Sequence, residues 1–130
     1  MVQITQEIFS STFKGPSTDK KKIIETIISQ LSSDLVALKQ AALATYEAAT
    51  NEESKPENEY DTRGLEASYL AGAQAERVAE VEELIYHLRE LNVRSYSSSD
   101  KISSTAIVLL RLNNKIFIAI LLPKGGGVTV

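Results

Sequence analysis

Two stretches of this chain place small and apolar residues in alternating steps of four and three, on either side of one acidic connection. The first contains neither Gly nor Pro from residue 18 to residue 50, and Gly15 and Pro16 lie just before it. Ile24, Ile28, Leu31, Leu35, Leu38, Ala42, Thr45 and Ala49 make its seam, a heptad pattern that predicts an amphipathic helix. Ser17, Thr18 or Asp19 is suited to cap its start. The second stretch runs through Tyr60, Gly64, Ala67, Ala71, Gln74, Val78, Val81, Ile85 and Leu88, and Asn92 is a suitable stop. Folded back on each other, the two seams match from Ile24 opposite Ile85, through Ile28 opposite Val81, to Ala49 opposite Tyr60. That register centres the turn between Ser54 and Lys55. The seam is Ile, Leu and Val far from the turn and Ala, Thr and Gly near it, so the turn end is expected to be slender.

The connection, ATNEESKPENEYDTRG, sets five carboxylates (Glu52, Glu53, Glu57, Glu59 and Asp61) against Lys55 and Arg63. One reading is capping. Ser54-x-x-Glu57 has the form of a capping box, Pro56 suits a first helical turn, and the later acids favour a helix N-terminus. Glu52 and Glu53 fit that reading poorly, because they follow the C-terminal end of the first helix. The other reading is a carboxylate cluster carried at the end of a helical arm. Exposed carboxylates are hard oxygen ligands suited to Mg²⁺ shared with a second molecule.

Beyond the helices, YSSSDKISST at residues 96–105 is polar and reads as a linker. TAIVLLRLNNKIFIAILLP then gives two apolar runs around Asn113-Asn114, the signature of a tight β-hairpin. A two-residue turn pairs Leu112 with Lys115 and Leu110 with Phe117. Both faces of this hairpin are apolar and an isolated ribbon is marginal, so something must cover it. Val128 to Val130 is a candidate third strand.

Several classes are excluded or disfavoured. The chain has 130 residues, no Cys, one His and a net charge of −3. Disulfides, thiolate nucleophiles and two-His metal motifs are out of reach, and direct nucleic-acid binding through a broad basic surface is disfavoured. Lys20-Lys21-Lys22 reads as a solvated helix start, and His87 as a flank residue. The three glycines after Lys124 lack the Lys-Ser/Thr and helix of a phosphate loop. The start of the chain does not read as a secretory signal, and no run of ~18 apolar residues suggests a membrane span. A soluble cytoplasmic protein is the expectation.

The segment ENEYDTRGLEASYLAGAQAERVAEVEEL, Glu57 to Leu84, resembles the turn and second helix of the bacterial Gre transcript-cleavage factors. In layout the resemblance covers residues 20–122. It implies an α+β, predominantly α fold: a long antiparallel coiled-coil hairpin followed by a small β element, here an incomplete FKBP-like domain. The implied layout is an N-terminal extension at 1–17, the hairpin at 18–92 with its acidic tip at 50–61, a linker at 93–105 and the β-hairpin at 106–130. It also implies a function. The coiled coil would enter the secondary channel of RNA polymerase, and tip acids would help hold the second catalytic Mg²⁺ and modulate RNA cleavage or elongation. Such a protein is not an enzyme in its own right and has no intrinsic cofactor.

The match at the tip is incomplete. The cleavage factors carry two acids three apart, the second followed by Asn and, after one further residue, by Glu-Tyr. Glu57-Asn58-Glu59-Tyr60 lacks that intervening residue, and Ser54 stands where the first acid is expected. Glu57 matches the second acid and Glu53 is the substitute for the first, with Asn58, Glu59, Tyr60 and Asp61 as supporting tip residues. The competing expectation is a non-catalytic coiled-coil interaction or dimerisation module with no polymerase role. A homodimer through the C-terminal strands would explain how so short a β element is covered.

Overall fold

The first helix forms where good helix formers run without Gly or Pro, and a carboxylate starts it. In the computed structural model, which describes residues 2–4, 19–51, 55, 57, 60 and 62–126, helix α1 spans Lys20–Thr50. Asp19 is the cap among the three candidates, its Oδ1 accepting from the Lys22 N–H at 3.2 Å. Helix α2 spans Arg63–Arg89. The protein is predominantly helical, and the described residues include three short strands: β1 (Val2–Ile4), β2 (Ile107–Leu112) and β3 (Lys115–Ile120). None of the described helices is long and apolar enough to cross a membrane.

The chain divides into two compact units, Leu31–Ile85 and the remainder, Met1–Gln30 with Tyr86–Val130. In the first unit the seam is withdrawn from water. Leu31, Val81 and Ile85 are buried, and Leu35, Leu38, Ala42, Thr45 and Ala49 are half-buried among mostly exposed neighbours. The same holds for Gly64, Ala67, Ala71, Gln74 and Val78 on α2. The seam is not wholly apolar. Gln74 places its Oε1 out of reach of water and, among the described residues, without a hydrogen-bond partner.

The register differs from the one the spacing suggested. Lys39 and Glu82 form an ion pair at 2.5 Å between the two helices. In the expected register Lys39 stands opposite Leu70, so Glu82 would lie roughly 18 Å farther along at ~1.5 Å per residue. A slide of one heptad, to Leu31 opposite Ile85 and Leu35 opposite Val81, brings the pair within the reach of two long side chains. A heptad repeat is indifferent to such a slide, because every seam residue meets another seam residue. Tyr60 also departs from expectation. It precedes α2 and is 84% exposed, so it is a turn residue and not a seam residue.

In the second unit the β-hairpin has the expected register, with Leu112 opposite Lys115 and Leu110 opposite Phe117. Asn113 and Asn114 have φ of 49° and 60°, the left-handed pair that a tight two-residue hairpin turn requires. Among the described residues a third strand comes from the start of the chain. β1 pairs antiparallel with β3, Val2 opposite Ile120 and Ile4 opposite Ile118, giving the order β1-β3-β2. Val128 to Val130 lies outside the described residues. Ile23, Ile27 and Ile120 are wholly buried in this unit, with Ile24, Leu88, Ala106 and Ala119 nearly so.

The polar linker is tied down more firmly than its composition suggests. Arg94 N–H donates to Thr105 Oγ1 at 2.9 Å, and Thr105 N–H to Leu121 O at 2.7 Å. The Tyr96 hydroxyl donates to Ser104 O. Lys20 reaches back from the start of α1, donating from Nζ to Arg94 O at 2.8 Å and standing 4.6 Å from the Tyr96 ring centroid. The triple lysine is therefore not uniformly solvated. Burial lowers the pKa of Lys20 from its ordinary value.

Asp100 closes a turn with Ser97 in the same segment. Ser97 N–H donates to Asp100 Oδ2 at 2.7 Å, and Asp100 N–H returns to Ser97 O at 3.2 Å. That backbone donor, then the Ser97 hydroxyl, holds the Asp100 carboxyl below its usual pKa. A depressed folded-state pKa contributes stability above the unfolded value that is lost as pH falls through the folded one. A carboxyl NMR titration should place Asp100 below the ordinary aspartate range, and the Ser97 amide should shift at the same midpoint. An ordinary midpoint at Asp100 would contradict this account.

Candidate functional site

The acidic connection occupies the space between the end of α1 at Thr50 and the start of α2 at Arg63. α1 closes with its own polar groups. Thr50 Oγ1 donates to Tyr46 O at 2.9 Å, and Asn51 N–H donates to Glu47 O at 3.0 Å. α2 does not begin at the Ser54-x-x-Glu57 box. It begins after Thr62, whose carbonyl accepts from the Glu66 N–H at 2.9 Å and whose hydroxyl donates to Glu66 Oε1 at 3.0 Å. Thr62 is the residue before the first helical position, and its side chain is tied to Glu66 one turn into α2. Gly64 did not deter the helix from starting there, because its half-buried place in the seam needs little side-chain bulk.

Since α2 begins at Arg63, Glu57 lies outside its first turn. Its side chain is 78% exposed and its Oε1 lies 3.6 Å from the Arg63 guanidinium. An exposed pair at that distance contributes ~0–1 kcal/mol, so a competing ligand can draw the carboxylate away at small cost. Glu53, the other carboxylate expected to act at the tip, lies outside the described residues, as do Asn58, Glu59 and Asp61. Tyr60 presents nearly all of its surface to solvent. Among the described residues no group of three or more His, Asp or Glu side chains is arranged to hold a metal ion. Glu57 alone can offer one or two oxygen ligands to a cation whose remaining ligands come from another molecule.

His87 is exposed on α2 and meets the Tyr86 ring edge-on at 5.8 Å. That is a flank contact.

One feature of the helical unit was not legible from the seam. Toward the turn end of the helix pair, the residues just after several seam positions (Leu43, Tyr46, Thr50, Ser68, Gly72 and Ala75) are apolar or small. They line an open groove of about 520 Å³ walled by Leu43, Tyr46, Ser68, Gly72 and Ala75. Leu43 and Tyr46 are 58% and 59% exposed. The signal was present in the spacing, since Val36, Leu43 and Thr50 form a second stripe seven residues apart.

Comparison with family models, with curated proteins and with solved structures finds no match to this chain.

Proposed function

We propose that this chain is a Gre-like regulator that binds RNA polymerase through the secondary channel and brings an acidic turn toward the catalytic Mg²⁺. The observation that carries the reading is the exposed Glu57 carboxylate, placed in the connection between α1 and α2 and ahead of the first turn of α2. In this reading Glu57 and Glu53 share the polymerase's second Mg²⁺, and Asn58, Glu59, Tyr60 and Asp61 support them. The polymerase supplies the remaining metal ligands and performs the RNA cleavage. The β strands then correspond to the opening of an FKBP-like domain, with β1 taking the free edge of β3.

The test is capture of purified core RNA polymerase by the chain, followed by cleavage of backtracked complexes. Glu57→Ala with Glu53→Ala should keep polymerase binding and lose at least roughly tenfold in cleavage stimulation, the scale of a removed metal-positioning ligand. Binding without cleavage by the parent chain would make it a channel blocker. A folded chain that fails to bind polymerase removes this reading.

The second reading is an interaction module with no polymerase role, and the apolar groove favours it specifically.

A further inference from the structure

The charge of the whole chain, −3, argues against a nucleic-acid surface, but it averages two units of opposite sign. Leu31–Ile85 holds four Lys and Arg against twelve Asp and Glu, a net −8. The unit that contains the strands, Met1–Gln30 with Tyr86–Val130, holds ten against five, a net +5. In the acidic unit Lys39, Arg63 and Arg77 each stand in an ion pair. In the basic unit Lys20, Lys21, Lys22, Arg89 and Arg94 stand in none among the described residues.

Two of these unpaired cations are nevertheless held together. Lys20, at the start of α1, donates from Nζ to Arg94 O at 2.8 Å. Its ammonium and the Arg94 guanidinium stand 4.6 Å and 5.7 Å from the centroid of one ring, that of Tyr96. The ring quadrupole offsets part of their repulsion. Nearby carboxylates are engaged otherwise. Asp19 caps α1 through the Lys22 N–H, and Asp100 is held by Ser97, with Arg94 the weakest influence on it. Lys21 and Lys22 extend the cluster along the first turn of α1, exposed where the helix dipole disfavours cations. The Lys20–Arg94 bond joins that turn to the chain leaving α2, where Arg89 is exposed.

A surface that gathers cations against their repulsion and leaves them unpaired is fitted to an anion supplied from outside. An aromatic ring stands beside it. Tyr86 is 63% exposed and lies three residues before Arg89, so the two are neighbours on α2. The apolar residues between these cations are not offered to solvent, with Leu88 buried and Leu91 and Val93 half-buried. Insertion into a lipid surface needs such residues exposed. Cations beside an exposed ring instead match a chain that alternates phosphates with unpaired bases.

We propose that the basic unit binds single-stranded nucleic acid: Lys20, Lys21, Lys22, Arg89 and Arg94 meet successive phosphates, and Tyr86 stacks on a base. Recognition tolerates any sequence, because phosphates are alike and every base has a π face. The proposal does not rest on the polymerase reading, which concerns Glu53 and Glu57 in the other unit.

The test uses the whole chain and a fluorescein-labelled RNA of mixed sequence, about 15 nucleotides long, within the site range of single-strand binders. Fluorescence anisotropy should show saturable binding that weakens roughly 15- to 60-fold between about 50 and 200 mM salt, the dependence of about three or four phosphate contacts. Lys21→Ala with Lys22→Ala removes two exposed charges that the dipole disfavours, so circular dichroism should be unchanged. Affinity should fall roughly tenfold or more, and the salt dependence should flatten. Tyr86→Ala should weaken binding roughly fivefold or more with the salt dependence unchanged, and Tyr86→Phe should retain the parent affinity. Lys55→Ala with Arg77→Ala makes the same change of net charge in the acidic unit and should leave affinity within about twofold. Absence of binding at about 50 mM salt overturns the proposal. So does an equal loss in the two double variants, which would make the attraction a property of net charge alone. Binding to duplex RNA, polyglutamate or phosphatidylserine vesicles as tight as to the single strand, or binding undiminished by Tyr86→Ala, overturns it as well.

Discussion

Ile27→Ala is expected to destabilise the protein by about 2–5 kcal/mol, and by clearly more than Ile28→Ala. Ile27 is wholly buried, and its truncation leaves a cavity in addition to losing the transfer free energy of three carbons. Ile28 is half-buried, so part of its side chain is already in water and its loss costs less. The seam spacing alone gives the opposite order, because Ile28 lies on the seam and Ile27 does not. Urea unfolding of the two variants checks the order. A larger loss at Ile28 would mean that the start of α1 is held by the helix pair and not by the unit that contains the strands. Small domains have total stabilities on the order of 5–15 kcal/mol, so Ile27→Ala should also lower the midpoint visibly.

At Thr105 the ordinary ranking of small substitutions should invert. Thr105 is wholly buried and has a φ of 67°, a left-handed conformation that a β-branched residue tolerates badly. Its hydroxyl oxygen accepts the Arg94 N–H, and its own N–H donates to Leu121 O, so the residue joins the linker to the chain that follows β3. Thr105→Ala keeps the unfavourable φ and deprives Arg94 N–H of its acceptor, a loss of about 1–3 kcal/mol. Thr105→Gly loses the same acceptor and relieves the backbone. Glycine usually destabilises relative to alanine, but here it should be the milder change, by about 1 kcal/mol. Denaturant midpoints at constant slope decide this. If Gly proves worse than Ala, the positive φ is not what limits the site.

Local signals in the chain carried much of the architecture. The heptad spacing identified the residues that α1 and α2 withdraw from water, since period and burial are two views of one geometric fact. Asn113-Asn114 identified both the hairpin and its register, because few other residues accept two successive left-handed conformations. Asp19 was among the named caps. The exposed acid at Glu57 could also be read, as a carboxylate in a connection rich in them.

Other features depended on distant parts of the chain. A repeat of seven cannot choose between registers seven residues apart, so the pairing waited on the Lys39–Glu82 contact and the position of the turn. The Ser54-x-x-Glu57 box does not mark the start of α2, which lies at Arg63, because a capping motif names a permitted start and not the one the folded chain uses. Ile23 and Ile27 lie off the seam, and they are core residues because the N-terminal end of α1 belongs to the unit that holds the sheet. The pairing of Val2–Ile4 with β3 could not be read locally, since strand pairing obeys spatial proximity and not chain order. The sequence by itself determined which faces of the helices are apolar and where the hairpin turns. The tertiary structure decided what those faces meet, because contact partners are set by how separate segments share one volume, a quantity that no local pattern contains.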